Sequence, residues 1–390
     1  MHGNGPAVEG ETAEGFEEVR EAFAANLASG EEIGAAVGVY LHGRKVVDLW
    51  GGIADPETGR PWERDTLQVV YSTTKAVTAA CALLLAQRGE LDLDAPVARY
   101  WPEFAAGGKE RIPVRWLLTH QAGLPALDDP ITPADAVAGE PVVRALEAQR
   151  PFWEPGTEHG YHALTYGWLV GEVVRRVCGR SIGTFLAEEI AAPLGLDLWI
   201  GLPEREHHRV SRIVADQATF DASALDAVPE PMRDVLAAYT DPASLTMRAM
   251  TLVKPPLDHN DPVEQSAEMP ATNGICTARS LAAFYAALIG HRILTPAALA
   301  AATAEQVSGI DRILRVPVRI GTGFGLPTPE AFWYSPTAFG FGGFGGSIGF
   351  ADPDSGLAFG YVMNRLREGV PDLRAARLYD AVVRAMKARA

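Results

Sequence analysis

The stretch TLQVVYSTTKAVTAACALLLAQRG, residues 66–89, changes character at its centre. Leu67 to Tyr71 is a mostly apolar run suited to an extended strand. Ala76 to Gln87 is rich in strong helix formers and stops before Gly89, a natural residue for a left-handed helix end. Ser72 therefore falls at the N-terminus of a helix entered from a strand. Such an end carries unpaired backbone N–H groups and the positive end of the helix dipole, both of which favour a developing oxyanion. Lys75 follows at i+3, on the same face as Ser72 and within reach of its hydroxyl.

An S-x-x-K tetrapeptide is common on exposed helices, so its surroundings decide its meaning. The chain has five lysines, Lys45, Lys75, Lys109, Lys254 and Lys387, and only Lys75 has a serine three residues before it. It lies in the first turn of an otherwise apolar helix, where a cation opposes the dipole. A lysine kept for solvation would favour the other end or a polar face.

Working outward, Phe16, Val19, Phe23 and Leu27 share one helical face, and AAVGVYLHGRKVVDLWGG, residues 35–52, predicts two strands turning at His42-Gly43-Arg44. The other end of the chain mirrors this pattern. There GSIGFADPDSGLAFGYVMN, residues 346–364, predicts strand, turn and strand, and Leu378, Ala381, Val382 and Ala385 mark a closing helix. Between the ends, helical runs such as Trp168 to Val177 and Ser181 to Ile190 alternate with Pro and Gly, with few convincing strands before about residue 310. The simplest organisation is a discontinuous sheet domain from residues 1–70 and 275–390, interrupted by a mainly helical domain at 71–274. Residues 203–270, rich in Pro, Asp and His, are expected to form an irregular cover.

A second serine competes for attention. Gly345-Gly346-Ser347-Ile348-Gly349 matches the G-x-S-x-G nucleophile elbow, which needs a following helix and a downstream histidine. No histidine follows Ser347, the last being His291, and a strand rather than a helix is expected next. The glycines are better explained by close backbone approach beside a site. Ser347 is thus expected in a wall of the site, not as its nucleophile.

Composition narrows the function classes. With 390 residues, 47% apolar and 21% charged, the chain has ample material for a large core. A formal charge of -15 without basic runs disfavours nucleic acid and anionic membranes as partners. No secretion signal or membrane-spanning run is evident, which places the chain in the cytoplasm as an expectation. Cys81, Cys178 and Cys276 are too few and scattered for a disulfide framework, and the histidines lack a metal-site spacing, so no metal or other cofactor is expected.

Four segments together carry a resemblance. Ser72-Thr73-Thr74-Lys75, LLTHQAGLP at 117–125, EPGTEHGYHALTYGWL at 154–169 and GGSIGFADPDSGLAFGYVMNR at 345–365 resemble, in order, the serine β-lactamase and penicillin-binding protein superfamily. More narrowly, the chain is similar to its class C-like branch, the family VIII carboxylesterases. The resemblance implies an α+β fold: a mainly antiparallel sheet flanked by helices, beside an all-helical domain, as in β-lactamases and DD-peptidases. It also implies an acyl-enzyme on Ser72, with Lys75 and Tyr161 as the general base pair, Tyr161 matching the family's Tyr-x-Asn tyrosine. The oxyanion hole would be the backbone N–H groups of Ser72 and Phe344. Phe341, Gly342 and Gly343, with Trp153 and His162, would border the substrate, and Phe152 and Phe344 are further candidates for an aromatic pocket. His120 is expected to be a structural hydrogen-bonding residue.

Two departures bear on substrate. Ala163 stands where β-lactamases and peptidases place an amide-binding Asn, and it has no side-chain hydrogen bond to offer. Phe341-Gly342-Gly343 stands where a basic residue would pair with a substrate carboxylate, and phenylalanine cannot do so. Both favour hydrolysis of small or medium neutral carboxylic esters. An acyltransferase on the same scaffold is the alternative, a β-lactamase or DD-peptidase is less favoured, and the sequence assigns no oligomeric state.

Overall fold

The computed structural model describes residues 7–215, 230–329, 335–367 and 372–389. A seven-stranded sheet organises them, with Val8–Thr12, Arg44–Asp55, Gly34–Leu41, Leu357–Met363, Ile348–Asp352 and Phe339–Gly342 in spatial order and Arg60–Pro61 paired to the second strand. All pairs in it are antiparallel. The hairpin at 42–43 and the turn at 353–356 fall between the strands expected from the alternation of the chain ends.

The two faces of the sheet are covered differently. Glu17–Ala28 and Arg374–Lys387 pack together on one face, where Phe16, Val19, Phe23, Leu27, Leu378 and Val382 join the sheet residues Val37, Val39 and Phe359 in one core. Ala278–Ile289 lies across the other face and carries the sheet into the larger core of the helical region. This helix can approach closely because Gly38 and Gly360 face it. A Cβ on Gly38 would stand 2.7 Å from the Arg279 Cα, and one on Gly360 would stand 2.6 Å from the Ala278 carbonyl oxygen. The mainly antiparallel sheet flanked by helices is the expected α+β class.

The interior departs from expectation in two places. Gln68–Val69, inside the expected extended run, joins Gly274–Cys276 and Leu198–Ile200 in a small three-stranded sheet whose last two strands are too short to show alternation in sequence. Within the expected irregular cover, the chain makes the short helices Glu204–Arg209, Leu245–Met250 and Pro262–Ser266, and Glu230–Thr240 besides; residues 216–229 of that stretch lie outside the described residues.

Candidate active site

The central strand Gly274–Cys276 of the small sheet fixes Gln68–Val69, and the chain then turns into the helix Thr74–Gln87. Tyr71 takes a φ of +46° at this turn, a left-handed conformation that is uncommon and costly for a bulky residue. The turn is held by Thr74, whose hydroxyl donates to the Tyr71 carbonyl and accepts from the Gly274 N–H at 2.8 Å. Ser72 follows, half-buried, one residue before the N-cap Thr73. Every residue from Thr74 to Leu85 is buried, which is why Lys75 is too.

Lys75 has no exposed surface, and among the described residues no carboxylate pairs with it. Its Nζ lies 2.7 Å from the Ala163 carbonyl, 3.1 Å from the Ala271 carbonyl and 3.2 Å from Ser72 Oγ. Burial alone holds its pKa well below the ordinary lysine value. Tyr161 completes the group: its hydroxyl donates to Ser72 Oγ at 2.7 Å. Burial pushes the phenol pKa upward, with the hydrogen bond to Ser72 as the opposing influence. The Tyr161 ring stacks on Phe341 at 6.3 Å between centroids, and Lys75 Nζ stands 4.7 Å from the Tyr161 centroid. The structure thus brings Ser72, Lys75, Tyr161 and Phe341 together.

The glycine-rich segment forms the facing wall. Phe339–Gly342 pairs with Ile348–Asp352, and Gly343 N–H donates to the Ser347 carbonyl at 2.7 Å across the intervening loop. A Cβ on Gly343 would lie 2.2 Å from both the Val70 carbonyl oxygen and Ser347 Oγ, so only glycine lets this strand meet the segment before Ser72. Ser347 is buried, and its hydroxyl donates to the Val70 carbonyl at 2.9 Å. Among the described residues, neither the Ser72 nor the Phe344 amide donates to any group of the fold. Phe344 is half-exposed and sits edge-on to Tyr71 at 5.6 Å.

The remaining site candidates divide. Trp153 is buried with Tyr161, Ala163 and Ile313, and Phe152 and Phe341 pack on that cluster. Its Nε1 donates to the Glu158 carbonyl at 3.2 Å. His162, expected beside the substrate, has no exposed surface and both ring nitrogens engaged: Nδ1 meets the Gly160 carbonyl at 2.7 Å and Nε2 accepts the Leu124 N–H at 3.0 Å. Burial holds its pKa down at about 3, so it is a neutral strut with no ring atom left for a ligand. The expectation that it borders the substrate is corrected accordingly. His120 is likewise buried, and its Nδ1 accepts the His162 N–H at 3.1 Å.

Sequence reasoning missed three groups that shape the site. Ala163 contributes its backbone carbonyl to Lys75, Ala271 does the same from a distant loop, and Asp311 accepts the Tyr161 N–H at 3.0 Å. The first two act through the backbone and leave no mark on side-chain identity. No group of three or more His, Cys, Asp or Glu able to hold a metal occurs among the described residues. No helix among them is long and apolar enough to cross a membrane.

Comparison with known proteins gives this geometry a context. The family described as Beta-lactamase matches residues 19–384. The esterase/β-lactamase LipL of Mycobacterium tuberculosis is 36% identical over 365 residues, covering 89% of this chain and 81% of the relative. Among solved structures, a family VIII carboxylesterase is 39% identical with a TM-score of 0.86, covering 97% of this chain and all of the other. A penicillin-binding protein homolog from Caulobacter crescentus is 38% identical with a TM-score of 0.84, at the same coverage.

Proposed function

The chain belongs to the β-lactamase family, and on that premise we propose that it is a carboxylesterase-type serine hydrolase. It cleaves small or medium neutral carboxylic esters through an acyl-enzyme on Ser72. One observation carries the reading: Ser72 Oγ lies 2.7 Å from the Tyr161 hydroxyl and 3.2 Å from a buried Lys75 that has no carboxylate partner among the described residues.

In its neutral form Lys75 has the valences a base needs here. A neutral amine has two N–H groups and one lone pair. The Ala163 and Ala271 carbonyls take the two N–H groups, which leaves the lone pair for the Ser72 proton. Tyr161, kept a phenol by burial, donates to the same Oγ. In acylation the Ser72 proton passes to Lys75 while Oγ bonds to the ester carbonyl carbon. The Ser72 and Phe344 N–H groups hold the resulting oxyanion, each worth about 2.7–4 kcal/mol. The carbon–alkoxide bond then breaks, and the alkoxide leaves with a proton supplied through Tyr161 and restored from Lys75. Water attacks the acyl group next, gives its proton back to the pair, and frees the acid and Ser72. Because the two groups exchange one proton, their titrations belong to the pair.

Neutral substrates follow from Phe341 and Ala163. Phe341 puts an aromatic face beside Tyr161 where a cation would be needed to bind a carboxylate, and Ala163 has no side-chain amide. The family VIII carboxylesterase, and LipL, named an esterase/β-lactamase, support the esterase part of this reading. The test is a substrate panel: short p-nitrophenyl and alkyl esters, a chromogenic cephalosporin and a D-Ala-D-Ala peptide. Ester turnover exceeding the other two by at least about 100-fold in kcat/KM is expected. Faster turnover of the peptide or cephalosporin would overturn the assignment, and product formation only on addition of an alcohol acceptor would replace it with acyl transfer.

A further inference from the structure

Asp311 has no exposed surface and lies in the turn between the strands Val307–Ile310 and Pro317–Ile320. One of its oxygens, Oδ1, accepts three backbone N–H groups: Ile313 at 2.8 Å, Leu314 at 2.7 Å and Tyr161 at 3.0 Å. The first two are local and close the turn. The third spans 150 residues of sequence and ends on the residue whose hydroxyl meets Ser72. Its other oxygen, Oδ2, is buried without a hydrogen-bond partner among the described residues.

Burying a carboxyl group is expensive, and leaving one oxygen unpaired adds to the cost. A serine would close the same turn at lower cost. The cost is understandable if Oδ1 has a task beyond the turn, and the long-range bond to Tyr161 supplies one. The Tyr161 ring is packed laterally, stacked on Phe341 on one side, meeting His120 edge-on at 5.1 Å and buried against Trp153, Ala163 and Ile313, while the Asp311 bond holds its backbone. Its backbone sits in a loop ahead of the helix Thr165–Cys178, and Gly160 before it donates to the His120 carbonyl at 3.0 Å.

We propose that Asp311 is a positioning residue for the reaction: by anchoring the Tyr161 amide it sets the phenol at hydrogen-bonding distance from Ser72 and the departing alkoxide. The inference rests on the assignment of Tyr161 in the preceding section and deepens it. Lys75, His120, Tyr239 and, beside Asp311 itself, His159 are the other titratable groups that face this pair.

A double-mutant cycle with Tyr161→Phe tests this, read as kcat and KM on an alkyl ester and a p-nitrophenyl ester. Asp311→Ala is expected to lower kcat on the alkyl ester at least about 10-fold with KM within about twofold. The loss should be smaller on the nitrophenyl ester, whose leaving group needs less protonation, and under about twofold when Tyr161→Phe is already present. Asp311→Asn, which keeps the acceptor oxygen, should stay within about threefold of wild type. If Asp311→Ala does not fold, Asp311→Glu, which displaces the same acceptor by one methylene, enters the cycle with the same criteria. Equal losses with and without Tyr161→Phe, or an Asn variant as impaired as the Ala variant, would overturn the role of Asp311 while leaving Tyr161 in place. A Tyr161→Phe variant as active as wild type on the alkyl ester would instead overturn both assignments.

Discussion

Ser347 Oγ donates a hydrogen bond of 2.9 Å to the carbonyl of Val70, two residues ahead of Ser72. The serine with the more familiar motif therefore braces the segment that carries the other one. Thr73 shares the contact, its hydroxyl lying 3.3 Å from Ser347 Oγ. Replacing Ser347 by alanine should destabilise the fold by about 1 kcal/mol, the usual worth of one such bond, and lower kcat less than about 10-fold. Denaturant unfolding and ester turnover on the same preparation check both numbers.

Lys75 makes stability depend on pH. Its folded pKa lies well below the unfolded value of about 10.4, so between the two the unfolded chain binds a proton that the folded chain does not. Stability then rises with pH across that window, by up to about 1.4 kcal/mol per pH unit. Lys75→Met removes this slope together with the proposed base. Unfolding free energies at pH 7 and pH 9 should show wild type gaining on Lys75→Met, and kcat/KM of the variant should fall at least about 1,000-fold.

On the proposed reading, Phe341 sets the sign of the substrate charge. Phe341→Arg places a guanidinium beside Tyr161, where the ring now stacks. Relative kcat/KM for an ester bearing a free carboxylate against its neutral analogue should shift at least about 10-fold toward the charged substrate. An unchanged ratio would mean that substrate carboxylates do not reach this wall.

Legibility in the sequence tracked the range of each contact. The approach of Lys75 to Ser72 is made within one helical turn, so spacing alone exposed it. The strands on either side of residues 42–43 and the buried face of Arg374–Lys387, with Leu378, Ala381, Val382 and Ala385 inside, follow from periodicity over many residues. Tyr161 reaches Ser72 across 89 residues, and only the resemblance drew attention to it. The strands Leu198–Ile200 and Gly274–Cys276 were hidden because three residues show no period. His162 misled because a ring between Gly160 and Leu124 satisfies backbone groups that no pattern in sequence announces. Asp311 was unreadable for the same reason, its long-range partner being the main chain of a remote loop.

The central claim is that Ser72 carries the acyl group. Intact-protein and peptide mass spectrometry after rapid quenching with a slowly deacylating ester, or after labelling with a p-nitrophenyl phosphonate, tests it most directly. The account predicts one adduct on the peptide containing Ser72, absent from Ser72→Ala and retained in Ser347→Ala. An adduct on Ser347, or ester hydrolysis that survives Ser72→Ala and vanishes in Ser347→Ala, would contradict it.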